Sequence, residues 1–122
     1  MTDQLKVTIE RRDGLAVIYT DGYINNQGGE QIAKHASELM ASGERALLLN
    51  LARTKIVNSI GISILIEVLE NMIERDGQLA FCDLTPTIEK TFHIMGLAQY
   101  AGIYEDEESA VKGLNSPSES TD

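Results

Sequence analysis

The run from Ala46 to Arg75, ALLLNLARTKIVNSIGISILIEVLENMIER, constrains the fold more than any other part of this chain. Ala46-Leu47-Leu48-Leu49 with Leu51 makes a short apolar block, the composition of a strand buried on both faces. The polar stretch from Ala52 to Asn58 reads as a connection. It ends in Asn58-Ser59, two good helix N-cap residues, directly before a second apolar segment too long to be a strand. A buried strand that passes to a helix through a short loop sets the helix N-terminus at the carboxyl end of a sheet. Open α/β folds place their working sites at that edge.

The flanking sequence repeats the alternation. Val7 to Glu10 and Leu15 to Tyr19 read as strands around the turn signal Asp13-Gly14, so a hairpin opens the chain. Asp21-Gly22 closes the second strand. Asn25 and Asn26 offer caps for a helix whose Ile32, Ala33, Ala36, Leu39 and Met40 share one face, with Gly43 at its C-terminal stop. Beyond the long helix, Asp76-Gly77 is a stop and Leu79 to Cys82 a short strand. Thr85-Pro86 starts a helix with Ile88, Phe92 and Met95 as its apolar face, ended by Gly96. A short strand near Ile103 and a helix from about Glu105 to Leu114 complete the pattern. The expected fold is α/β: one domain over 1–114, a mixed and mostly parallel β-sheet with an N-terminal hairpin and covering helices. Residues 115–122 form a polar tail expected to stay disordered.

With 122 residues the chain is long enough for a single well-filled core. Its net charge is −9, and residues 105–122 hold six of its acids against one base, Lys112. Nothing in that balance neutralises phosphates, so nucleic acid is not an expected partner. The start, Met1-Thr2-Asp3-Gln4, lacks a basic segment followed by an apolar one, and no apolar run approaches bilayer length. No signal peptide and no membrane insertion are therefore expected. The single cysteine, Cys82, excludes an internal disulfide and suits a reducing compartment, the cytoplasm.

Catalytic chemistry is scarce. His35 and His93 fall within helices with no acid or cysteine at metal-ligand spacing, and read as surface histidines. Cys82 reads as a small inert core residue. Gly28-Gly29 follows no phosphate-loop pattern. Glu105 to Glu108 reads as a solvated first helical turn. No catalytic residue, metal site or cofactor site is expected.

Ser59 stands out by position. Taken alone it is a capping hydroxyl. At about 100° per residue, however, Leu65, Val68, Leu69 and Met72 centre the core face of its helix, while Ser63, Glu67, Glu70, Asn71 and Glu74 face water. Ile60 and Ile64 then fall at the edge of the polar stripe. They read either as part of a docking surface or as residues tucked under a neighbouring loop.

These residues carry a resemblance. Asn58-Ser59-Ile60-Gly61, with Ile62, Ile64 and Leu65 behind it, resembles the signature of STAS domains, the family that includes bacterial anti-sigma factor antagonists; its usual motif is Asp-Ser-(Ser/Thr)-Gly-Leu-Gly. Gly22-Tyr23-Ile24-Asn25 resembles the family's Gly-x-(Leu/Ile)-Asp, and Pro86 through Met95-Gly96-Leu97 its Pro-x-Val…Gly-Leu ending. The match in element order runs from Val7 to Leu114. It departs where the two motif aspartates are Asn58 and Asn25, where Ile60 replaces a hydroxyl residue and where Ser63 stands near the second glycine.

In such antagonists a kinase that is also the anti-sigma factor phosphorylates the serine after the motif aspartate, and phosphorylation breaks their complex. The resemblance thus implies Ser59 as the phosphorylated residue, with Asn25, Lys55, Asn58, Ile60, Ser63 and Ile64 as partner-binding residues. The implied partner is an anti-sigma factor and serine kinase of the histidine-kinase-like ATPase type, and the chain would be a monomer or weak dimer that needs no cofactor. Two alternatives stay open: a non-phosphorylated STAS subunit of a transporter or stress-signalling complex, and a small enzyme or ligand-binding domain with a site at the strand ends.

Overall fold

The computed structural model describes residues 4–115; the expected tail, from residue 116 on, lies outside them. Asp13 and Gly14 both take positive φ, 52° and 86°, the backbone of a two-residue hairpin turn whose twist matches that of its strands. The turn joins β1 (Lys6–Arg12) to β2 (Leu15–Ile24), antiparallel, with Arg12 opposite Leu15 and Lys6 opposite Asp21.

The chain then alternates: α1 (Asn26–Ala41), β3 (Ala46–Val57), α2 (Ser59–Glu74), β4 (Gln78–Cys82), α3 (Pro86–Ile94), α4 (Leu97–Tyr100), β5 (Gly102–Tyr104) and α5 (Glu107–Asn115). The strands lie in chain order, β1-β2-β3-β4-β5, and every pair after the hairpin is parallel. This is the expected α/β domain. Gly43 closes α1 at φ 103°, with Gly43 N–H bonded to the Met40 carbonyl and Glu44 N–H to that of Leu39, each at 3.0 Å. These two bonds satisfy carbonyls that the helix end leaves over.

Alternation along the strands sorts the core into two clusters. Ala16, Ile18, Leu47, Leu49, Leu51, Leu79 and Phe81 meet helices α1 to α4 on one face. Leu15, Val17, Leu48, Ala80 and Cys82 meet Ala110, Val111 and Leu114 of α5 on the other. Phe81 and Phe92 pack edge to face, ring centroids 4.9 Å apart, and fix α3 to the sheet.

Four sequence expectations are corrected. β2 does not stop at Asp21-Gly22, and Ala52 to Val57 is not a loop: both strands run on to the edge of the sheet, pairing Asp21 with Arg53, Tyr23 with Ile56 and Ile24 with Val57. Register shifts between Tyr19 and Asp21 and again before Tyr23 insert extra residues into β3. They break its two-residue period, so that Arg53, Lys55 and Ile56 are exposed while Thr54 is buried against the Thr20 hydroxyl at 2.7 Å. Met95 is not on the apolar face of α3; it caps that helix and is exposed, and Gly96 at φ 88° turns the chain into the additional helix α4. Finally, the last helix starts at Glu107 and ends on Asn115, whose side chain donates to the Asp13 carbonyl at 3.0 Å.

Candidate functional site: the carboxyl edge of the sheet

Two helices begin side by side where β2 and β3 end. Asn25 caps α1 by accepting from Gly28 N–H at 2.9 Å, and Asn58 caps α2 by accepting from Gly61 N–H at 2.8 Å. The cap of α2 is therefore Asn58 and not Ser59. Ser59 is the first helical residue, exposed, and relieved of capping duty by its neighbour.

The two starts are locked to the sheet and to each other. Asn58 N–H donates to the Ile24 carbonyl at 3.1 Å. A Cβ at Gly61 would collide with that same carbonyl oxygen, and one at Gly28 would stand 2.9 Å from the Tyr23 oxygen. Both glycines let helix backbone approach strand backbone more closely than any side chain allows. Behind them Ile64 lies across α1, so near that a Cβ at Gly29 would meet its Cδ1 at 3.0 Å.

Of the residues expected to bind a partner, Asn25, Lys55, Asn58 and Ile60 gather at this edge, together with Ser59. Ile60 is 55% exposed, whereas Ile64 is half-buried against α1. Ser63 is exposed and donates back to the Ser59 carbonyl at 3.1 Å. Two apolar residues of this edge escaped the sequence reading: Ile56, 57% exposed, and its cross-strand neighbour Tyr23. The apolar pair Ile56-Val57 between Lys55 and Asn58 was the available signal. The edge thus combines two helix N-termini, a serine at the front of one of them and an apolar rim.

A second cluster lies on the α5 face. Glu107, expected to be solvated, instead accepts from Arg12 Nη1 at 2.7 Å, Tyr19 Oη at 3.0 Å and Asn50 Nδ2 at 2.9 Å. Burial raises the carboxyl pKa, but the three donors outweigh it and hold the group below the usual carboxylate range. Burial, seconded by the hydrogen bond to Glu107, pushes the Tyr19 phenol up to about 12. Of these residues Tyr19 and Asn50 line an open cavity of about 500 Å³, together with Lys6, Thr8, Glu10 and Arg53. Cys82 is fully buried, and burial followed by the adjacent Asp83 drives its thiol well above the normal range. It has no thiolate to offer. Among the described residues no group of three or more His, Cys, Asp or Glu could hold a metal ion, and no helix is long and apolar enough to cross a membrane.

The chain belongs to the STAS domain family, whose model matches residues 6–110. BtrV of Bordetella bronchiseptica, provisionally named an anti-sigma factor antagonist, is 26% identical over 106 residues, 87% of this chain and 91% of BtrV. An anti-sigma factor antagonist from Mycobacterium paratuberculosis has the same fold, with a TM-score of 0.83 at 20% identity over 95% of this chain and 98% of that one. The phosphorylated form of the Bacillus cell fate determinant SpoIIAA superposes with a TM-score of 0.71 at 20% identity, over 90% of this chain and all of that one.

Proposed function

We propose that this protein is an anti-sigma factor antagonist of the cytoplasm: a regulatory binding protein, not a catalyst, switched by phosphorylation of Ser59. Its partner is an anti-sigma factor that is also a serine kinase of the histidine-kinase-like ATPase type. One observation carries the reading. Asn58 caps α2 and leaves Ser59 exposed as the first residue of the helix, with Ile56 and Ile60, near it in the chain, exposed as well.

The physics of the switch is direct. A phosphate adds about −1.5 to −2 charges at neutral pH. The N-terminal dipole and first-turn N–H groups of α2 accommodate that charge, so the fold survives. A partner surface seated on Ser59 and Ile60 would instead bury a dianion without a counter-charge, which ejects it. Asn25, Asn58 and Lys55 frame this surface, Ser63 borders it, and Ile64 supports the first turn of α2 from the α1 side. The relatives that carry the antagonist name, and the phosphorylated SpoIIAA structure, support the assignment.

A second reading rests on Asn25 and Asn58, which stand where the family motifs have aspartates. If those acids orient the hydroxyl for the kinase, the domain is a constitutive subunit of a transporter or stress-signalling complex. The experiment that separates the two is incubation with ATP and a candidate anti-sigma factor kinase from the same organism, followed by intact mass and peptide mapping. Phosphate on Ser59, undiminished kinase binding by Ser59→Ala and weakened binding by Ser59→Asp support the switch. Absence of modification, together with tight binding to a partner that is no kinase, overturns it.

A further inference from the structure

An apolar groove runs along the opposite flank of α2, between that helix and the α3–α4 turn. Its volume is about 460 Å³. Leu69 and Leu97 form the floor, both buried, while Ile66 and Ile73 rise from α2 and Met95 and Tyr100 from the far wall. Ile73 is 45% exposed, Met95 46% and Tyr100 70%. Large side chains gathered around one trough differ from apolar residues scattered singly on a surface, and such troughs mark interaction sites.

Charge identifies the occupant. Glu67, Glu70 and Glu74, spaced i, i+3 and i+7, form an exposed acidic crest along the α2 side of the groove, one residue over from Ile66 and Ile73. The residues lining the facing wall, from Met95 to Tyr100, include no charged side chain. A second copy of this chain is disfavoured, because a two-fold contact would press two such crests together in molecules that each carry −9. Ile66 and Ile73 stand two helical turns apart, about 10 Å, so the trough follows a helix axis.

We propose that this groove docks an amphipathic helix of a partner protein, with apolar residues at i, i+4 and i+7 in the trough and Lys or Arg along the edge that meets Glu67, Glu70 and Glu74. The mode is helix in groove: apolar anchors give the contact area, and the acidic crest sets orientation and selects basic partners. The site stands on a different side chain set from Ser59 and holds whether or not Ser59 is phosphorylated.

The probe is a synthetic helical peptide of about five turns, leucine on one face and lysine on the other, titrated into the isotope-labelled full chain. Its control has the same composition in scrambled order. The expected result is saturable one-to-one binding, with methyl shifts confined to Ile66, Leu69, Ile73, Met95 and Leu97. Glu70→Lys combined with Glu74→Lys weakens binding about tenfold or more, and Ile73→Asp abolishes it. Glu108→Lys, one charge reversal on exposed α5 surface at the other face of the sheet, leaves it unchanged, as does Ser59→Asp. Ile73, Glu70 and Glu74 are exposed, so these variants keep the fold. Equal binding of the scrambled peptide, shifts spread over the whole acidic surface, no binding, or self-association that covers the same methyls would each overturn the proposal.

Discussion

Asn50 of β3 and Glu107 of α5, 57 residues apart, are joined by a 2.9 Å hydrogen bond from the amide to the carboxylate. The same asparagine accepts from Ala52 N–H at 2.9 Å, so its side chain ties a bulged strand to the first turn of the last helix. Arg12 and Tyr19 complete the set of donors, and one carboxylate thereby holds β1, β2, β3 and α5 in register.

Glu107→Ala leaves the Asn50 and Tyr19 donors without their acceptor. We expect a loss of about 1–3 kcal/mol in urea unfolding, with the denaturant slope unchanged. Since the folded-state pKa of Glu107 lies below its unfolded value, the carboxylate's contribution is fully present above the unfolded pKa of about 4.3. It fades as pH falls through the folded value. The stability of the parent chain should therefore drop below about pH 4 more steeply than that of Glu107→Ala.

Tyr19 makes the alkaline counterpart. Its phenol should ionise near pH 12 in an ultraviolet titration. The unfolded phenol titrates at about 10, so its stabilising contribution is intact below that pH and is lost as pH rises towards 12. In Glu107→Gln the Tyr19 transition should move to lower pH but stay above the ordinary value, because burial is the larger cause of its shift.

Gly61→Ala drives a methyl into the Ile24 carbonyl, which is backbone on both sides of the contact and cannot swing away. Stability should fall by about 1–3 kcal/mol. Partner binding at Ser59 should fall with it, since α2 must shift away from β2. Ser63→Ala, exposed two residues further on, should change stability by less than about 0.5 kcal/mol.

The two asparagine caps separate folding from recognition. Asn58→Ala and Asn25→Ala should each cost about 1 kcal/mol by thermal or urea unfolding. Asn58→Asp keeps the capping oxygen, and its charge suits a helix N-terminus, so stability should be held. If the family's motif acid acts on the kinase step, this same variant is phosphorylated faster at Ser59 than the parent chain; equal rates would remove the acid from that role.

Most of the fold was legible because burial follows period. Leu65, Val68, Leu69 and Met72 on α2, the Leu47–Leu51 strand and the Asp13-Gly14 turn each combine a local preference with the face they bury, and the structure keeps all three. The misreadings arise where period fails. Ala52 to Val57 is strand, but its two bulges scatter polar and apolar residues without alternation. Four-residue α4 is too short to leave a periodic trace. Glu107 sits in a run of four acids whose local preference is a solvated helix start, and only the fold brings Arg12, Tyr19 and Asn50 to it. At the candidate site, Ser59 and its setting were visible from the strand-to-helix transition. Which of two adjacent residues caps the helix was not, since Asn and Ser cap about equally well.

The chain-order sheet has a consequence for biogenesis. Every strand pairs with the one made just before it, so a chain emerging from the ribosome can assemble the sheet and α1 to α4 without waiting for distant sequence. Only α5 must reach back, from Glu107 to Arg12 and from Asn115 to Asp13, to roof Val17, Leu48 and Cys82. A nascent chain halted before that helix would present a nearly finished domain with one oily side open, the form that chaperones and proteases would recognise first.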